Sequence, residues 1–173
     1  MNSTLDLDGG KALSVIQING PINSGKSTVG RALAIMLPDA KFIDGDDHDA
    51  TATLPGPEKW AVAIARIECH IETADCRYLV VAYPINHGEF KRLLAACQRR
   101  SAQFVVVTLN PPLETALSDR GSRRLTPWEK KRIVEMYMEG YQARPFSGLF
   151  IDTSRRSPQD CARAIANHVE SAD

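Results

Sequence analysis

Short apolar runs and longer segments with an apolar residue every third or fourth position alternate along this chain. Leu13 to Asn19 has strand length and is mostly apolar. Gly25 to Leu37 carries Val29, Leu33 and Met36 at helical spacing. Lys41 to Asp44 is a second short strand. After an acidic run, Asp44 to Asp49, and a loop with Pro55 and Pro57, a helix places Trp60, Ile64, Ile67 and Ile71 on one face. Tyr78 to Ala82 is a third strand, and Phe90, Leu93, Leu94 and Cys97 mark the next helix. Phe104 to Leu109 is a strand centred on β-branched Val105 to Val107. Pro111 and Pro112 open a helix expected to run to about Arg120, and Pro127 suits the first turn of a helix reaching about Gln142. Leu149 to Asp152 and Pro158 to Val169 complete the series as strand and helix.

About five apolar strands separated by helices predict a parallel sheet covered on both faces. No repeat, low-complexity stretch or linker divides the pattern. The expectation is one three-layer α/β domain over residues 13–173, preceded by a flexible polar tail at 1–12.

Composition changes little in that picture but removes several functions. The 173 residues are 43% apolar and 24% charged, with 21 basic and 21 acidic side chains. Zero net charge and 6% aromatic content argue against a nucleic-acid groove, and the charge balance argues against an anionic membrane as partner. Cys69, Cys76, Cys97 and Cys161 form no Cys-x-x-Cys pair, so free thiols are expected rather than zinc. No secretory signal or membrane-spanning run is visible, which points to a cytoplasmic location. One core accounts for every apolar stripe, so the sequence sets no oligomeric state.

The chemistry begins at residues 20–27, Gly-Pro-Ile-Asn-Ser-Gly-Lys-Ser, with Thr28 next. This is the phosphate-loop pattern Gly-x-x-x-x-Gly-Lys-[Ser/Thr], and it falls between an apolar strand and an amphipathic helix. Glycines let successive backbone N–H groups turn toward phosphate oxygens, and the helix adds its positive end. Gly20, Asn23, Ser24, Gly25, Lys26, Ser27 and Thr28 are the expected contacts to ATP. Lys26 can reach the β- and γ-phosphates, and the Ser27 hydroxyl can ligate Mg²⁺.

Asp44 and Asp46 follow the second strand, 18 and 20 residues after Lys26. In a parallel sheet, ligands sit beyond the carboxyl ends of strands. One carboxylate there can serve Mg²⁺, and the other can orient a hydroxyl that attacks the γ-phosphate or take its proton. Phe-Ile-Asp-Gly-Asp at 42–46 resembles the Phe-x-Asp-x-Asp of shikimate kinases and the Leu-Asp-Gly-Asp of gluconate kinases. The resemblance to these small P-loop metabolite kinases covers roughly residues 13–170. It implies a five-stranded parallel sheet with an arginine-bearing lid, Asp44 near magnesium, and Asp46 on the acceptor hydroxyl. The chain lacks the Gly-Gly-Gly turn of shikimate kinases and the Asp-Asp-Asp-Arg-x-Pro-Trp-Leu run of gluconate kinases, so neither substrate carries over.

Tyr83, Asn86 and His87 follow the third strand and are candidate acceptor contacts, as is His48. Arg120, Arg123 and Arg124 cluster after the fourth strand, where a closing lid needs guanidinium groups to stabilise the transferring phosphoryl group. By resemblance Arg120 ends the helix before the lid, Arg123 or Arg124 is the lid arginine with Arg124 preferred, and Arg144 touches an acidic acceptor. Thr153 to Pro158 matches the segment that wraps adenine. The expectation is a small-molecule kinase using ATP and Mg²⁺, with Lys26, Asp46, Arg120 and Arg124 catalytic and a small hydroxyl compound as acceptor. Adenylylsulfate kinases and chloramphenicol phosphotransferases share this architecture. A nucleotide-hydrolysing switch for a protein partner is the alternative from another class, although no Asp-x-x-Gly or Asn-Lys-x-Asp signature is visible.

Overall fold

The computed structural model describes residues 12–46 and 56–171. His48, Asp47 and Asp49 lie outside them, as do all but the last residue of the expected tail. Five strands form one parallel sheet in the order β2-β3-β1-β4-β5. They are β1 (Ser14–Asn19), β2 (Ala40–Asp44), β3 (Tyr78–Ala82), β4 (Gln103–Leu109) and β5 (Leu149–Ile151). The helices are α1 (Lys26–Met36), α2 (Gly56–Thr73), α3 (His87–Arg99), α4 (Leu113–Ala116), α5 (Pro127–Met138) and α6 (Pro158–Glu170). No helix among the described residues is long and apolar enough to cross a membrane.

Strand alternation sends successive side chains into separate cores, one on each face of the sheet. Ile16, Ile18, Tyr78 and Val80 pack with Val29 and Leu33 of α1 and Ile165 and Val169 of α6. Val15, Leu79 and Val81 pack on the other face with Ile64, Ile67 and Ile71 of α2 and Leu93 of α3. This is the three-layer arrangement the alternating pattern predicts. Two residues leave their predicted stripes. Met36, in the last position of α1, is exposed, and so is Trp60. Helix α2 starts at the carboxyl edge of the sheet, so its first turn stands above the strands rather than against them.

The helix expected from Pro111 to Arg120 is a single turn, α4. Asn23 Nδ2 donates to Ala116 O (2.9 Å) and to Ser118 O (2.9 Å), so a distant side chain takes carbonyls at the end of that turn. The chain then doubles back in a small antiparallel bridge between Arg120 and Arg123. Helix α5 has Pro127 in its first turn and a capping box between Thr126 and Glu129. It stops at Met138, short of Gln142, where Tyr141 N donates to Met136 O (3.0 Å) in a Schellman-type closure.

Buried polar groups at the carboxyl edge bind these elements together. Asn19, wholly buried at the end of β1, accepts from Ile85 N (2.9 Å). Its amide donates to Thr108 Oγ1 (2.9 Å) and to Tyr141 O (3.2 Å). One side chain thus joins β1 to the segments after β3 and α5 and to β4.

Candidate active site

The loop from Gly20 to Gly25 turns sharply between β1 and α1. Gly20 sits at φ 143°, and a Cβ there would lie 2.6 Å from Leu109 O, so only glycine fits. Asn23 takes a left-handed conformation, and its carbonyl accepts from Arg120 Nη1 (3.0 Å). With its amide spent on the α4 segment, the Asn23 side chain works as a brace, and its part toward a nucleotide falls to the backbone. Ser24 is buried, its carbonyl accepts from Thr153 Oγ1 (2.8 Å), and its own hydroxyl has no hydrogen-bond partner. Gly20 and Ser24 therefore lie beneath the cavity wall. Gly25 caps α1 and lines the cavity together with Lys26, Ser27 and Thr28.

That cavity holds about 560 Å³. Opposite the loop it is walled by Arg120, Gly121, Arg123, Thr153 and Arg156, with Cys161 at the first turn of α6. Arg120 also donates to Thr153 O (3.0 Å), so it joins the phosphate loop to the segment after β5. Lys26 is buried, and its Nζ donates to Pro21 O (2.8 Å). Desolvation pulls its pKa down to about 8; Asp46 and Asp44 push the other way, and Arg123 adds to the lowering. A buried ammonium held so weakly is suited to a polyanion that restores its charge.

A second wall is built by the turn after β2. Asp44 carries its carboxylate toward Asp46 N (3.1 Å) and Arg31 Nη2 (3.7 Å) rather than onto the cavity wall. Arg66 from α2, which the sequence reading passed over, donates to Asp44 O (3.1 Å) and to Gly45 O (3.3 Å) and so braces this turn. A Cβ on Gly45 would sit 2.4 Å from the Tyr83 ring, so the absence of a side chain lets the turn pack on that ring. Asp46 projects onto the wall of a second cavity of about 1020 Å³. Tyr83, Asn86 and Arg144 line it too, whereas His87 does not and packs edge-on against Phe146. The Asn86 side chain is occupied as the cap of α3, accepting from Glu89 N (3.0 Å). Burial, reinforced by Asp46, pushes the Tyr83 hydroxyl well above its ordinary pKa, leaving it a proton donor. Arg144 is buried with its guanidinium over the Tyr141 ring, donates to Glu139 O (3.0 Å), and has an unpartnered Nε.

The two cavities share Ile22, Lys26, Asp46 and Arg123. The structure places the two candidate lid arginines differently. Arg123 stands at the junction, held by Glu129 (2.7 Å), while Arg124 is exposed beside Asp119 (3.6 Å) and lines neither cavity. The tight turn at Gly121 and Ser122 decides which arginine faces inward. Linear order gave no signal for that choice.

Ser27 lines the first cavity, and a magnesium ion there would take its hydroxyl together with waters and phosphate oxygens. Among the described residues no group of three or more His, Cys, Asp or Glu forms a ready-made metal cage.

Several solved structures share this architecture over nearly their whole length. APS kinase from Mycobacterium tuberculosis, solved with AMPPNP and APS, matches with TM-score 0.68 and 20% identity over 92% of this chain and 98% of that one. Shikimate kinase from Acinetobacter baumannii, solved with shikimate, gives 0.66 and 19% over 94% and 96%. The tunicamycin resistance protein of Deinococcus radiodurans gives 0.60 and 22% over 91% and 95%. The fold is that of the P-loop kinases. No protein-family model and no curated protein sequence matches the chain.

Proposed function

We propose that this protein transfers the γ-phosphate of ATP to a hydroxyl group of a small molecule. The observation that carries the reading is the junction of the two cavities. One is lined by a phosphate loop, the other by mixed aromatic and charged groups, and they meet at Lys26, Asp46 and Arg123. Nucleotide hydrolysis alone would not call for the second chamber.

In this reading the triphosphate lies along Gly25 to Thr28, with Arg120 and Thr153 fixing the far wall. The acceptor hydroxyl stands at Asp46, which orients it and takes its proton as the new O–P bond forms. The bond from the γ-phosphorus to the β–γ bridging oxygen breaks, and ADP leaves. Lys26 and Arg123 lie where negative charge on the moving phosphoryl group is greatest. Bound magnesium would supply positive charge beside the β- and γ-phosphates, with Ser27 as its protein ligand. Arg144, stacked on Tyr141 in the wall of the second cavity, would help shape the space around the acceptor.

ADP release measured with and without a panel of hydroxyl metabolites tests the reading. Strong stimulation by one class of acceptor is expected. Asp46→Asn should abolish that stimulation and leave ATP affinity nearly unchanged. A rate that no acceptor alters, but that a protein partner raises, would sink the proposal.

A further inference from the structure

Both tryptophans of this chain are exposed, and both line the acceptor cavity. Trp60 is 53% exposed at the start of α2, and Trp128 is 67% exposed in the first turn of α5. Tryptophan is the largest apolar side chain and is usually buried on average. Neither ring contributes to the cores on the two faces of the sheet. Tyr83 and Tyr141 line the same cavity, so four aromatic rings face one space.

Several charges of that wall pair with each other. Arg123 pairs with Glu129 (2.7 Å), and Arg132 pairs with Glu139 (2.6 Å) and Glu135 (3.2 Å). The rest of the wall sets aromatic surface beside Lys59, Glu89 and Arg144, and Asp46 and Lys26 stand where the two cavities meet. At about 1020 Å³ the space matches the upper end of the roughly 300–1,000 Å³ of pockets that bury drug-sized ligands.

We infer that the acceptor bears a planar aromatic ring, and that Trp60 and Trp128 are its specificity-determining contacts. The inference rests on the kinase reading above and names the substrate class of the same site. The ring lies against the indoles at the outer part of the cavity, and its hydroxyl-bearing arm reaches inward to Asp46. Nucleosides and aryl-substituted diols have this form. Gluconate and glycerol do not.

The test uses the intact protein with four probes: adenosine, phenylethanediol, gluconate and glycerol. Because the chain's two tryptophans are both in the cavity, quenching of intrinsic fluorescence reads occupancy directly. Coupled ADP release reads transfer separately. The expected result is that the two aromatic compounds bind at least tenfold more tightly than the two aliphatic ones. Each of Trp60→Ala and Trp128→Ala should weaken that binding about tenfold, and Trp60→Phe and Trp128→Phe should largely restore it. ATP affinity and far-ultraviolet circular dichroism serve as controls for folding. Aliphatic probes binding as tightly as aromatic ones, or aromatic binding unchanged in both alanine variants, would overturn the inference. Tryptophan-dependent binding of an aromatic probe without acceptor-stimulated ADP release would count against the kinase reading alone.

Discussion

Lys26 gives the most direct physical check on the phosphate loop. Its ammonium is buried, with one hydrogen bond to Pro21 O, and its pKa falls from the ordinary 10.5 to about 8. Between those two values the unfolded chain holds a proton on this lysine and the folded chain does not. Stability therefore rises with pH across that window, and below pH 8 the folded state carries the full cost of the buried charge. The size is about 3 kcal/mol for a shift of this extent. Lys26→Met keeps the length and removes the titration. Urea unfolding of both proteins without nucleotide, from pH 7 to about pH 10.5, isolates the effect, since all other groups cancel in the difference. Wild type should gain about 3 kcal/mol on the variant across the window. A difference that stays flat would mean that the buried ammonium is not penalised, and the argument that the loop awaits a polyanion would fail. The same linkage requires ATP binding above pH 8 to take up a proton, which calorimetry in buffers of different ionisation enthalpy measures.

Other outcomes follow from the same geometry. Asn19→Ala should cost about 3 kcal/mol in urea unfolding, because it leaves the buried Ile85 N–H unpartnered and cuts two further bonds. Arg123→Ala should lower kcat about a thousandfold with little change in ATP affinity, as expected of an arginine at a transferring phosphoryl group. Arg124→Ala should change kcat by less than about threefold, in keeping with exposed ion pairs being worth little; the reverse order would restore the sequence-based choice of lid arginine.

The local pattern in the sequence was enough for the layers of this protein. Apolar runs of strand length can bury both faces only between helices, and the strands and both cores formed accordingly. The phosphate loop was equally legible, because its spacing is dictated by backbone geometry that only glycine at certain positions allows. The tertiary structure decided what depends on distant partners. Asn23 left the nucleotide side to cap α4, since the carbonyls it meets come from residues far along the chain. Trp60 fits the apolar stripe of α2 by periodicity, yet the helix begins above the sheet and turns that residue to the second cavity. Arg123 rather than Arg124 faces the junction because a turn, not the order of residues, sets its direction. Sequence periodicity records which side of an element is apolar. Where that side ends and a cavity begins is settled only when the elements are stacked.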